Sequence, residues 1–113
     1  MCAPGDQRNS RDRGLEFTWA ARLLAANPAR LFRIGHRKGA IEPGRDADLV
    51  VMAHHPRRYE PAASSHNFVG WSPYDGIELP FRAVATFLRG RPIFDGKTVT
   101  SEPGAGVFVR PEQ

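Results

Sequence analysis

The stretch Lys38-Gly39-Ala40-Ile41-Glu42-Pro43-Gly44-Arg45-Asp46-Ala47-Asp48-Leu49-Val50-Val51-Met52-Ala53 changes character halfway along. Its first half is turn chemistry, because Gly39 and Gly44 admit positive φ and Pro43 fixes its own. Leu49 to Ala53 is a β-rich run bounded by turns and predicts a strand. Asp46 and Asp48 stand between the two halves. Two carboxylates ahead of a strand could be metal ligands or an acid/base pair. We read them instead as short side chains that accept hydrogen bonds from turn N–H groups.

Upstream, Leu15 to Gly35 has helical spacing. Phe17, Ala20 and Leu24, with Trp19 and Leu23, fall at i, i+3 and i+4, and Ala20, Ala21, Ala25 and Ala26 are strong helix formers. The apolar stripe is broad, which predicts a helix laid against a large apolar surface. Asn27-Pro28 is expected to interrupt it, with Asn27 as N-cap and Pro28 in the first turn of a second short helix to about Ile34. Leu31 and Phe32 would face inward. Residues 1–14, MCAPGDQRNSRDRG, are polar and without periodicity, which predicts a loop or frayed end and matches what a truncated chain would show.

Downstream, His54 onward is expected to be loop followed by sheet. Asn67 to Gly76, NFVGWSPYDG, is a turn-rich connection in which Tyr74 is expected to pack with its hydroxyl paired. Arg82 to Arg89 is the clearest strand, and Gly90 turns it into Pro92-Ile93-Phe94. Asp95-Gly96 is a two-residue hairpin signal with positive φ expected at both positions, and Lys97-Thr98-Val99 would be the return strand. Val107-Phe108-Val109 would lie along a sheet edge or cover one.

Composition narrows the classes of function. The chain has 113 residues, enough for one small domain or a piece of a larger one, with 41% hydrophobic and 25% charged residues. The net charge is +4 and the isoelectric point near 10.0, but the arginines are scattered from Arg8 to Arg110. No basic block with interleaved aromatics forms, so no nucleic-acid partner is expected. No apolar run approaches the ~20 residues of a membrane span. With no apolar leader at the start and a single cysteine, Cys2, the chain is expected to be cytoplasmic.

The chemistry is a record of absences. A hydrolytic zinc site needs about three protein ligands around an open position. His36, His54, His55 and His66 carry neither His-x-His nor His-Glu-x-x-His spacing. His54 and His55 are adjacent, so on a strand their rings point to opposite faces. Cys2 has no nearby base, and Ser64-Ser65-His66 is a sequence neighbourhood rather than a triad. Phosphate-binding glycine motifs are absent. No catalytic, cofactor-binding or metal residue is assigned.

The order of the motifs adds what composition does not. Asn27-Pro28-Ala29-Arg30-Leu31-Phe32, then Lys38-Gly39-x-Ile41-x-x-Gly44-x-Asp46-Ala47-Asp48-Leu49-Val50, then Ser72-Pro73-Tyr74-x-Gly76, then Thr86-x-Leu88-Arg89-Gly90, resembles the closing region of the cyclic amidohydrolases. That group includes dihydroorotase, dihydropyrimidinase, hydantoinase and allantoinase, and the likeness is nearest to the allantoinases. It runs from about residue 15 to the end. It implies an α+β fragment: residues 15–37 as the terminal helices of a (β/α)8 barrel, and residues 38–113 as the C-terminal half of a composite β-sandwich. It also implies a family that opens cyclic amide or ureide rings with binuclear zinc, whose ligands lie on barrel strands upstream of this region.

No such ligand maps onto this chain. The expected partners are therefore the missing N-terminal barrel portion or a complementary chain, with a homo-oligomer for the full-length enzyme. The chain would be a fragment that is inactive by itself, or a non-catalytic partner completing a sandwich supplied by another polypeptide. A basic binding module of other ancestry is disfavoured by the motif order. A half-sandwich exposes sheet edges and an apolar face, so poor solubility or dependence on association is expected.

Overall fold

The computed structural model describes residues 17–63 and 67–113. It is a small α+β unit: α1 (Phe17–Ala21), a π-helical turn (Arg22–Ala26), α2 (Asn27–Leu31), and three strands, β1 (Leu49–Arg58), β2 (Glu78–Leu88) and β3 (Arg91–Phe94). The strands form one antiparallel sheet in the order β1-β2-β3.

The helical backbone runs without interruption through Asn27-Pro28. Ala21, Ala26 and Asn27 all have right-handed helical φ and ψ, and Asn27 makes no side-chain cap. Pro28 has no N–H for the carbonyl of Leu24, and its ring crowds that carbonyl. The chain accommodates this by widening the preceding turn, where the Asn27 N–H donates five residues back to the Arg22 carbonyl. The proline is thus absorbed by a π-turn, and the N-cap expected at Asn27 is not made.

The helix ends at Leu31, earlier than the apolar periodicity predicts. Arg33 takes a left-handed φ of 54°, a conformation usually left to glycine. Arg33 N–H donates to the Arg30 carbonyl at 3.1 Å and Ile34 N–H to the Ala29 carbonyl at 2.8 Å. These are the two bonds of a Schellman termination, so the last carbonyls are satisfied.

Behind this end the chain crosses the helix closely. Gly39, at φ +88°, packs over the helix so closely that a Cβ would meet Ala29 Cβ at 2.5 Å and the Ala25 carbonyl oxygen at 3.0 Å. Ala29 is buried, with 5% of its surface exposed. The alanines of the helix therefore serve a close backbone crossing as well as helix propensity. At the other end, the Phe17 ring stacks edge-on against Phe81 of β2 with centroids 5.3 Å apart.

The sheet is longer than the sequence suggests. β1 continues past Ala53 through His54, His55 and Pro56 to Arg58, where a loop is expected. Pro56 is tolerated because β1 is an edge strand and the pairing with β2 shifts between His54 and Arg57. β2 starts at Glu78 rather than Arg82. The two-residue connection from β2 to β3 is Arg89-Gly90, with Leu88 paired to Arg91. Both connecting residues have positive φ, 48° and 79°, as a type I′ hairpin requires.

Asp95-Gly96 does not make the expected two-residue hairpin. Only Gly96 of the pair has positive φ. Asp95 Oδ1 instead accepts from the N–H groups of Lys97 and Thr98 at 2.9 and 2.8 Å. That side-chain turn widens the connection, and the return is a single bridge, Phe94 to Val99, rather than a strand. The last segment forms no strand either. It is held at two points, by Arg89 Nη2 on the Ala105 carbonyl at 2.7 Å and by Glu112 N–H on the Arg33 carbonyl at 2.8 Å.

Little of this encloses a core. Among the described residues the buried hydrophobic set is Ala29 alone. Leu31 and Phe32, expected to face inward, are 76% and 64% exposed.

Gly39→Ala is expected to destabilise the chain by about 2–4 kcal/mol, from a left-handed alanine and an overpacked crossing. Gly44→Ala, with nothing within 4 Å of a new Cβ, should cost only the backbone part, about 1 kcal/mol. Urea unfolding followed by tryptophan fluorescence at one protein concentration compares the two.

Candidate functional site: an ion cluster joining helix, turn and sheet

Charged residues converge where the helical segment, the Lys38–Arg45 turn and the β2–β3 hairpin meet. Lys38 Nζ lies 2.8 Å from Asp46 Oδ2 and also contacts Asp48 Oδ2. Arg37 Nη2 is 3.0 Å from Asp46 Oδ1 and 2.9 Å from Oδ2. Asp46 Oδ2 has two cations at ion-pair distance, yet no donor is aligned on it as a hydrogen bond. The Lys38 ammonium and the Arg37 guanidinium are nonetheless its partners. Asp48 Oδ1 accepts from the backbone N–H of Arg89 at 2.8 Å, fastening the hairpin to the turn.

The local sequence explains the convergence. Gly39 at positive φ folds the turn back on the helix and leaves Lys38 facing the following carboxylates. Arg45 closes the turn from outside, with Nε on Glu42 Oε2 at 2.8 Å and Nη1 on the Lys38 carbonyl at 3.1 Å. Gly90 N–H donates to the Ala47 carbonyl at 2.9 Å beside the Asp48 contact.

The ionisation of each group follows from these neighbours. The Lys38 ammonium, and after it the Arg37 guanidinium, hold the Asp46 carboxyl below its ordinary range. Partial burial pushes Asp48 up, but the Lys38 ammonium and the Arg89 N–H outweigh it and leave the carboxyl lowered. Burial likewise pulls Lys38 down, and Asp46 and Asp48 together more than restore it, so the ammonium is raised. Asp95 is lowered by the N–H groups of Thr98 and Lys97.

This geometry corrects the reading of the two aspartates. Asp48 does accept a turn N–H, but Asp46 is held by the side chains of Lys38 and Arg37. The Lys38 ammonium stands between them, at ion-pair distance of both. Lys38 and Arg89 belong to the motifs of the sequence, but neither they nor Arg37 are marked there as partners of the two aspartates. The available signal was a basic pair and an acidic pair facing each other across a glycine-proline turn.

Among the described residues, the histidines His36, His54 and His55 do not converge. His36 Nδ1 lies 3.6 Å from Glu112 Oε1, His54 stacks edge-on with Phe81 at 5.3 Å, and His55 follows it on β1. Cys2, Ser64, Ser65 and His66 lie outside the described residues. Among the described residues no three His, Cys, Asp or Glu side chains form a group that could hold a metal. The residues described thus do not fit the binuclear zinc implied by the resemblance. No helix among them is long and apolar enough to cross a membrane.

The Asn67–Gly76 connection is organised by its own side chains. Asn67 Oδ1 accepts from the N–H groups of Val69 and Gly70, and its Nδ2 donates to the Trp71 carbonyl. Ser72 Oγ accepts from Tyr74 N–H at 3.1 Å. The Tyr74 ring is 63% exposed rather than packed, and Phe68 is 97% exposed.

Comparison with known proteins places this architecture. The chain belongs to the amidohydrolase family, whose model matches residues 6–99. It is 44% identical over 104 residues to an allantoinase of Rubrobacter xylanophilus, covering 89% of this chain and 22% of that enzyme. It is 34% identical over 87 residues to a D-hydantoinase of Streptomyces coelicolor, covering 77% of the chain and 19% of that protein. Among solved structures, a D-hydantoinase (dihydropyrimidinase) from Thermus sp. superposes with a TM-score of 0.80 at 28% identity, over 91% of this chain and 22% of that one. The chain spans about a fifth of the length of these relatives.

The lowered Asp46 and Asp48 carboxyls stabilise the fold above the ordinary carboxylate range, near 4. That contribution is lost as pH falls through their lower folded values. The raised Lys38 contributes below its ordinary range and loses that contribution as pH rises through its folded value. Asp48→Asn should therefore flatten the acid limb of stability and cost about 1–2 kcal/mol at neutral pH. Urea midpoints from acid to neutral pH measure both effects.

Proposed function

We propose that this chain is the C-terminal part of a hydrolase that opens cyclic amide rings, of the allantoin or hydantoin type, and that it supplies no catalytic group itself. The observation carrying this is the 44% identity to an allantoinase concentrated in about a fifth of that enzyme's length. In this reading residues 15–37 are the last helical part of a barrel, and residues 38–113 are the C-terminal half of a β-sandwich. The ring-opening groups and the zinc ligands belong to the remainder of the enzyme. A cytoplasmic homo-oligomer is part of the same proposal.

The exposed surface supports the assignment. Leu23, Leu24, Leu31 and Phe32 on the helical side, and Val50, Val51 and Met52 on β1, are all exposed. Apolar surface of this extent is characteristic of a face normally covered by other protein. The ion cluster then has a structural role, holding the helical segment and the sheet in fixed relation. The same surface also favours a second reading, in which the chain completes a sandwich supplied by a separate polypeptide.

Grafting this chain onto the Rubrobacter xylanophilus allantoinase, in place of the segment it matches, tests the assignment. The chimera should hydrolyse allantoin within about tenfold of the parent kcat/KM. Loss of activity in a folded, metal-loaded chimera would overturn the assignment. Co-expressing the truncated allantoinase with this chain as a separate polypeptide tests the second reading, which predicts recovery in trans. The isolated chain should turn over neither allantoin nor hydantoin, and its unfolding midpoint should rise with protein concentration. Turnover by the chain alone would sink the claim that it supplies no catalytic group.

A further inference from the structure

We infer that the cleft between the end of α2, the Lys38–Arg45 turn and the C-terminal segment binds a small dianion, a phosphate group held by Arg30 and Arg33. The cleft has a volume of about 560 Å³, within the ~300–1,000 Å³ range of small-molecule sites. Its charged lining is Arg30, Arg33, Lys38 and Arg45 against Glu42, Glu112 and the terminal carboxylate of Gln113. The cations are not equally available. Lys38 is committed to Asp46 and Asp48, and Arg45 to Glu42 and a backbone carbonyl. Among the described residues, Arg30 and Arg33 have no carboxylate at ion-pair distance.

Their placement suits one ligand. They lie three residues apart across the helix terminus, and the Schellman turn with Arg33 at φ 54° fixes where the second departs. A guanidinium presents a planar fork of donors that matches phosphate oxygens, and two of them balance a dianion. Glu112 is the competing anion at the rim. Its N–H is fixed to the Arg33 carbonyl at 2.8 Å, and its carboxylate sits 3.6 Å from His36 Nδ1. The cleft is open to solvent, so binding is weak and falls with ionic strength. Every lining group belongs to this chain, so the inference stands apart from the proposed hydrolase assignment.

The test is a titration of the 113-residue chain with inorganic phosphate at low ionic strength, above its second ionisation. The readout is the ¹⁵N guanidinium signals of the arginines. Saturable shifts are expected at Arg30 and Arg33. Arg30→Gln and Arg33→Gly should each weaken binding about tenfold, and Glu112→Gln should tighten it. Arg33→Gly separates binding from folding, because glycine takes the left-handed position without strain. Acetate should bind more weakly than phosphate. The inference is overturned by absence of a saturable shift, by equal shifts across all arginines, by unaltered binding in Arg33→Gly, or by acetate binding as tightly as phosphate.

Discussion

The backbone crossing of Gly39 over Ala29 is the constraint on which the rest of the structure depends. Only a residue without a side chain can approach the helix that closely, and only one comfortable at φ +88° can turn the chain there. Once the crossing is made, Lys38 is set opposite Asp46 and Asp48, and Asp48 is set against the N–H of Arg89. Helix, turn and hairpin are thereby joined through one ammonium and two carboxylates. The arrangement substitutes for a hydrophobic core, which the described residues barely form.

That substitution bears on what the molecule is built to do. Ion pairs with partly exposed members contribute modestly to stability and mainly select one geometry. A unit held this way has a defined shape and large apolar areas left over, as befits a piece of a larger fold. The likeness to allantoinase and hydantoinase segments points the same way.

Much of the architecture was legible in the sequence, and the exceptions have physical causes. The β-branched run at Leu49–Ala53 and the Arg82–Leu88 strand were readable because strand propensity and turn residues agree there. The extension of β1 to Arg58 was hidden by His54-His55-Pro56, since only pairing with β2 makes a strand of it. Pro28 signals a break, and the wider turn that absorbs it leaves no trace in composition. Asp95-Gly96 and Arg89-Gly90 show local rules failing in opposite directions: the stronger hairpin signal gives an aspartate-capped turn, while arginine takes a left-handed φ in the tighter one. The ion cluster was half legible. The two aspartates stand out ahead of the strand, but their pairing with Lys38 does not, because sequence distance conceals a contact made by the fold.

The π-turn at Arg22–Ala26 has one more consequence. Relative to a regular helix it carries an extra residue, so the segments before and after it are rotated against each other by the angle of about one residue, near 100°. Phe17 meets Phe81 at one end and Ala29 meets Gly39 at the other. Both contacts depend on that phase. The wide turn therefore acts as an angular spacer between two docking points, and shortening it by one residue would turn one end of the helix off its partner.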